Sequence, residues 1–267
     1  MKPYFAMFKM RLIAGMQYRV SAWASVCTQL FWGFTFIMIF KAFYISSSAQ
    51  LPMPFNQLVC YLWLQQAFLA IIMIGWQDRE LLSNIISGDV IYELCRPYNI
   101  FSFWISRLLA LRLSNMLLRC LPILCVAFFL PKPYNITLPI SDIAGILFLA
   151  SLTLALLLVI AISMFIYILT FITLSSVGSR LIIGVASEFL SGGTIPIPFM
   201  PKILQDILSW LPFRYTVDLP FRIYSGNINS TDALTGILIQ LIWIALLIVV
   251  GNFSFKKIIR GIVVQGG

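Results

Sequence analysis

Between Asp142 and Arg180 the chain carries no charged side chain. A helix crosses about 30 Å of hydrocarbon with about 20 residues, so this run is too long for one crossing and calls for two. In water it would have nothing polar with which to cover itself, and the rest of the chain does not help. Of 267 residues, 61% are hydrophobic and 10% charged, with a mean hydropathy of +0.97, whereas a soluble domain is about half apolar and a quarter charged. A water-soluble monomer is therefore excluded, and a bilayer is the expected solvent.

Four further features shape the reading. Histidine is absent, which removes the commonest general base, the commonest zinc ligand and every His-dependent triad. No metal or catalytic cofactor is expected in this chain. The net charge of +9 would suggest nucleic acid in a soluble protein; here it is read by position relative to the membrane, and no nucleic acid partner is expected. Cys27, Cys60, Cys95, Cys120 and Cys125 show no metal-binding spacing and read as small buried hydrophobes. The basic N-terminus runs into an apolar stretch too long for a cleavable signal peptide.

Six spans are expected, at 21–43, 55–76, 101–131, two within 142–195 divided at 173–179, and 233–255. Ser175, Ser176, Gly178 and Ser179 are the turn formers at the division. Placing the N-terminus in the cytoplasm puts Lys2, Lys9, Arg11, Arg19, Arg79, Arg96, Arg107, Arg180, Lys256, Lys257 and Arg260 at the inner side. Fewer basic residues, Lys41, Lys132, Lys202, Arg214 and Arg222, then lie outside. That bias puts both termini inside, as an even number of spans requires.

Three segments are not simple spans. Residues 1–20 mix lysine and arginine with Tyr4, Phe5, Phe8, Leu12 and Met16, which suits a helix along the inner headgroup layer. Arg11 falls nearly opposite Lys2 and Lys9, which dilutes that pattern. In the inner loop Asp78 can cap a helix through Arg79 and Glu80, with Leu81, Leu82, Ile85 and Ile86 on one side and Gly88 as the stop. A helix so short is marginal in water and needs another surface, its own bundle or a partner. Outside, 191–226 holds two proline-bounded segments too short to cross, which read as re-entrant or interfacial helices over a pathway. Gly192, Pro196, Pro198, Pro201, Pro212, Phe213 and Tyr215 are the candidate outer gate. Within the membrane, Arg112, Asn115 and Arg119 share a helix face by spacing, and Glu188 is the one acid far from a loop. Arg112 and Glu188 fall at similar depth, so an ion pair is expected between them, or between Glu188 and a partner chain. These four residues fix packing or line a route.

The order and spacing of Arg79-Glu80-Leu81-Leu82, Ile86-Ser87-Gly88-Asp89, Leu94-Cys95-Arg96-Pro97, Leu190-Ser191-Gly192, Ile195-Pro196, Phe199-Met200-Pro201 and Leu211-Pro212-Phe213-Arg214-Tyr215 resemble the permease subunits of ABC-2 type exporters. The resemblance covers essentially the whole chain. It implies an all-α, polytopic membrane domain over 1–267: an N-terminal elbow helix (1–20), a coupling helix seated on an ATPase (78–96) and an outer re-entrant hairpin (195–226). It also implies two ABC ATPase subunits per complex, a second permease identical or homologous to this one, ATP and Mg bound on the ATPase, and a bacterial cell membrane. No P-loop is present in this sequence, so the nucleotide would bind elsewhere. The implied cargo is an amphipathic or hydrophobic drug, peptide, lipid or glycan. A secondary transporter would show broken helices in both halves; a lipid-modifying enzyme would need clustered acids, and only Asp78, Glu80, Asp89 and Glu93 offer them.

Overall fold

The computed structural model describes residues 2–46 and 51–260; Met1 and the tail of the expected single domain lie outside the described residues. Twelve α-helices follow in order among the described residues: α1 (Lys2–Met16), α2 (Arg19–Ser46), α3 (Phe55–Ala67), α4 (Leu69–Ile72), α5 (Arg79–Ser87), α6 (Ile91–Leu94), α7 (Ile100–Phe129), α8 (Asp142–Thr173), α9 (Ser176–Leu190), α10 (Lys202–Ser209), α11 (Asp218–Ser225) and α12 (Ser230–Arg260). Two 3-10 turns, Ile197–Phe199 and Pro212–Thr216, flank α10. No strand occurs among the described residues.

Four helices, α2, α7, α8 and α12, are long and apolar enough to cross a membrane. Local chemistry sets several of their ends. Asn99 caps α7 by accepting from the Ser102 amide, and Ser141 caps α8 by accepting from Ala144, each satisfying an otherwise orphaned donor. The expected turn at 173–179 is present: α8 stops at Thr173, and Ser175 caps α9 through the Gly178 amide.

The other two expected spans differ from the reading. The stretch 55–76 breaks at Phe68, and helix ends altogether at Ile72. The fifth is the 15-residue α9, ending at Leu190 rather than 195. From Leu58 to Ile72 nearly every residue is buried, so this broken rod is the centre of the bundle, not a lipid-facing helix.

Contacts define two ends of the bundle. At one, α5, the start of α7 and the finish of α8 and α12 meet: Trp104 stacks on Phe171 and meets Phe255 edge-on. At the other, α10, α11 and the start of α8 and α12 meet. There the buried Gln240 of α12 donates to the carbonyls of Ser151 and Tyr215. Helix α1 runs beside the first half of α7, with Tyr4 accepting from the Asn99 amide and Gly15 against Ser114. At Gly184 of α9 a methyl group would stand 2.8 Å from the Gly75 Cα, so backbones meet there with no side chain between them.

Arg112 explains how a helix can end inside this bundle. Its guanidinium donates to the carbonyls of Ala70 (3.3 Å), Ile71 (3.1 Å), Met73 (3.0 Å) and Trp76 (3.1 Å) and to the Ser163 hydroxyl (3.1 Å). The last carbonyls of a helix have no partner within it, and no water reaches the core to serve them. The forked cation does so instead. The expected Arg112–Glu188 pair is therefore not formed within the chain: Arg112 spends its terminal donors on α4 and its sequel, and Glu188 is exposed on α9 with no cation in salt-bridge range among the described residues.

Arg112→Met should orphan several buried carbonyls and lower stability by about 2–5 kcal/mol, at about 1–3 kcal/mol for each group left unpaired. Arg112→Lys should rescue little, since an ammonium has no fork. Glu188→Gln should leave the thermal midpoint of the purified chain in detergent unchanged; a loss matching that of Arg112→Met would restore the ion pair.

Candidate functional site

The loop from Gln77 to Arg96 is built around its caps. Asp78 Oδ1 accepts from the amides of Glu80 (3.1 Å) and Leu81 (3.3 Å), opening α5. Gly88, at φ +84°, closes it in the left-handed region that glycine enters without strain. Both signals were legible in the sequence. The apolar side of α5 is turned inward: Leu81, Leu82 and Ile85 are buried against its own bundle, while Ile86 is 44% exposed. Of the two surfaces open to it, its own bundle or a partner, the apolar side of α5 with Leu82 and Ile85 thus takes its own bundle. Arg79, Glu80, Ser83, Ile86, Ser87 and Gly88 form the face that remains open.

Beneath α5 lies a further feature the sequence did not reveal. Arg107 of α7, read as a boundary cation, is only 2% exposed. Its Nε lies 2.6 Å from Asp78 Oδ2, one terminal nitrogen 3.0 Å from Glu80 Oε2 and the other 3.7 Å from Glu93 Oε1. Glu80 Oε2 also takes a 2.7 Å ion pair from Arg11 of α1, and Glu93 Oε2 accepts from the Trp104 indole at 2.7 Å. The Asp78 amide donates to the Tyr167 hydroxyl of α8 at 3.1 Å. One guanidinium therefore joins α5, α6 and α7 directly, α1 through Glu80, and α8 through Asp78.

The electrostatics are lopsided in favour of the charged pair. Burial alone would raise the Asp78 carboxyl, but the hydrogen bond and charge of Arg107, the Leu81 amide and Arg11 outweigh it and hold the group below its ordinary range. Removing one member of such a buried pair costs about 3–5 kcal/mol. The exposed Arg11–Glu80 bond is worth at most about 1 kcal/mol. Asp78, Glu80 and Glu93 thus share the charge of one buried cation. The arrangement ties α5 to α7 through Arg107.

The remaining expected residues fall into two groups. Arg119 donates to Asn115 at 2.9 Å and lies 5.5 Å over the ring of Trp76, whose carbonyl Arg112 holds. The outer set is drawn into one cap. Gly192, at φ +83°, lends its carbonyl to the buried Tyr61 hydroxyl at 3.1 Å. Pro196 and Pro198 shape the first 3-10 turn, Pro201 precedes α10, and Pro212 opens the second turn, which contains Phe213. Tyr215 ties that turn to the Ser209 carbonyl at 2.8 Å. Phe199 packs among Phe40, Phe43 and Tyr44, fastening the cap to α2.

Compared with known protein families, residues 54–266 match the model of the ABC-2 family transporter protein. No curated protein matches the chain significantly.

Because the Asp78 carboxyl is held below its unfolded value of about 3.9, its contribution to stability is whole above about pH 4 and is lost as pH falls through the folded value. Thermal unfolding of the wild type should lose midpoint on acidification below about pH 4, and Asp78→Asn should flatten that part of the profile. Arg107→Met should cost about 3–5 kcal/mol at neutral pH. An unchanged midpoint would remove Arg107 from the centre of the network.

Proposed function

The chain belongs to the ABC-2 transporter family and is a membrane-spanning permease of an ABC transporter, and from this premise we propose that it lines the translocation route of an ATP-driven exporter. Two ABC ATPase subunits bind and hydrolyse ATP with Mg, and a second permease, identical or homologous, completes the route. The α5 end faces the cytoplasm of a bacterial cell, with both termini there. The buried rod α3–α4 and the short α9 count as the second and fifth of six crossings. Helix α1 is the elbow at the inner headgroups, and the region around α10 is the outer gate.

The observation that carries this reading is the clamp of Arg107 on Asp78, Glu80 and Glu93. A coupling helix has to be rigidly joined to the bundle on one side and open on the other. Helix α5 has its apolar side packed inward and Arg79, Ser83 and Ile86 facing out. A push from the ATPase would pass through Asp78 and Arg107 into α7 and through the Asp78 amide and Tyr167 into α8. Arg119 and Asn115, held beside Trp76, are the polar groups offered to an amphipathic or hydrophobic cargo. The exposed face of α9, with Glu188, is where the second permease would pack.

In the assembled transporter, Arg79→Glu with Ile86→Glu should abolish copurification of the ATPase and lower transport-coupled ATP hydrolysis at least about tenfold, the equivalent of about 1.4 kcal/mol, with an unchanged thermal midpoint for the permease alone. Normal copurification and coupling would overturn the assignment of α5.

A further inference from the structure

At the opposite end of the bundle, charges gather that the transport reading does not use. Asp218 opens α11 and is fully buried. Arg214 stands four residues before it and Arg222 four residues after, with nitrogens 3.5 and 3.4 Å from the same oxygen, Asp218 Oδ2. Those separations exceed the roughly 2.7–2.9 Å of a tight charged pair. One acid so placed does not exhaust two guanidiniums, which together carry ten N–H directions by the usual count of about five each. Arg222 is oriented further by its Nε bond to Asn227 at 2.8 Å. The two side chains stay 24% and 18% exposed, and both line one cavity of about 290 Å³.

That cavity has a polar mouth and an apolar floor. Asn227, Asn229 and Asp232 line it beside the arginines, while Leu219 and Ile239 close the depth. Gly236 lets Leu219 seat against α12, since a methyl group there would stand 2.6 Å from a Leu219 methyl. Ile239 is nine residues into α12, about 14 Å below its start at 1.5 Å per residue. Polar groups at the mouth and aliphatic groups at that depth match the boundary between headgroups and acyl chains. At about 30 Å³ per water the cavity holds the volume of about ten waters, room for a headgroup but not for a whole lipid.

We propose that this cavity binds a phosphate-type oxyanion, carried by a lipid-like headgroup or free in solution, with Arg214 and Arg222 as its donors. Paired guanidiniums suit the tetrahedral oxyanion because each can present two parallel N–H groups. Asp218 holds both cations in place from behind. Asp232, on the same wall, opposes the ligand and tunes how tightly it is held. The site does not depend on the direction of transport or on the ATPase.

The full-length chain would be reconstituted in nanodiscs of phosphatidylcholine with or without phosphatidylglycerol, and lipid retained after detergent extraction counted by native mass spectrometry. Inorganic phosphate would be titrated calorimetrically in parallel. Thr235→Glu and Asn229→Asp place a negative charge at exposed wall positions without touching the Arg214–Asp218–Arg222 group, and thermal midpoints in detergent report their folding. The expected result is retained phospholipid or a phosphate-binding isotherm, weakened about tenfold by either substitution and strengthened several-fold by Asp232→Asn. Retention without a phosphate isotherm assigns the lipid source, and the reverse assigns free phosphate. Absence of both signals, or signals indifferent to all three substitutions, would overturn the site.

Discussion

A peptide carbonyl without a partner is intolerable in hydrocarbon, and the course of this chain turns on how one set of them is served. The central rod α3–α4 stops at Ile72, well inside the bundle, and Arg112 reaches across from α7 to take the carbonyls it leaves. Because helix can end there, the chain is free to turn at Ile74 and Gly75, reach Asp78 and begin α5 at the bundle's end.

Helix α7 thus uses two buried arginines in different ways. Arg112 meets neutral acceptors, so its charge is spread over peptide dipoles. Arg107, five residues earlier, meets carboxylates from α5 and α6. The first closes an element; the second binds elements together. Both are costly to bury alone; Arg107 meets three carboxylates and the terminal nitrogens of Arg112 meet four carbonyls and a hydroxyl, which is why α7 can carry them through an otherwise apolar length.

What could be read from the sequence was local chemistry. Asp78 and Gly88 bound α5, and Ser175 divides α8 from α9, because a cap is decided by residues within one turn of it. The Arg112–Glu188 pairing was not legible: equal depth assumed continuous helices, and the break at Phe68 placed backbone acceptors nearer. Arg107 was hidden for the complementary reason, since its partners lie on another segment and only tertiary packing gathers them. One clue was present and pointed the other way. Arg11 spoiled the amphipathic pattern of α1 because it turns inward to Glu80, while Lys2 and Lys9 are exposed.

Tyr167 and Ser151 sit on the same helix, α8, one bonded to the Asp78 amide and the other to Gln240. Sixteen residues of helix separate them, a stiff lever of about 24 Å. Pivoted at Tyr167, a tilt of about 5° swings Ser151 sideways by about 2 Å, more than a hydrogen bond survives. A small rotation at the Asp78 end would thus be geared into a changed pairing at Gln240.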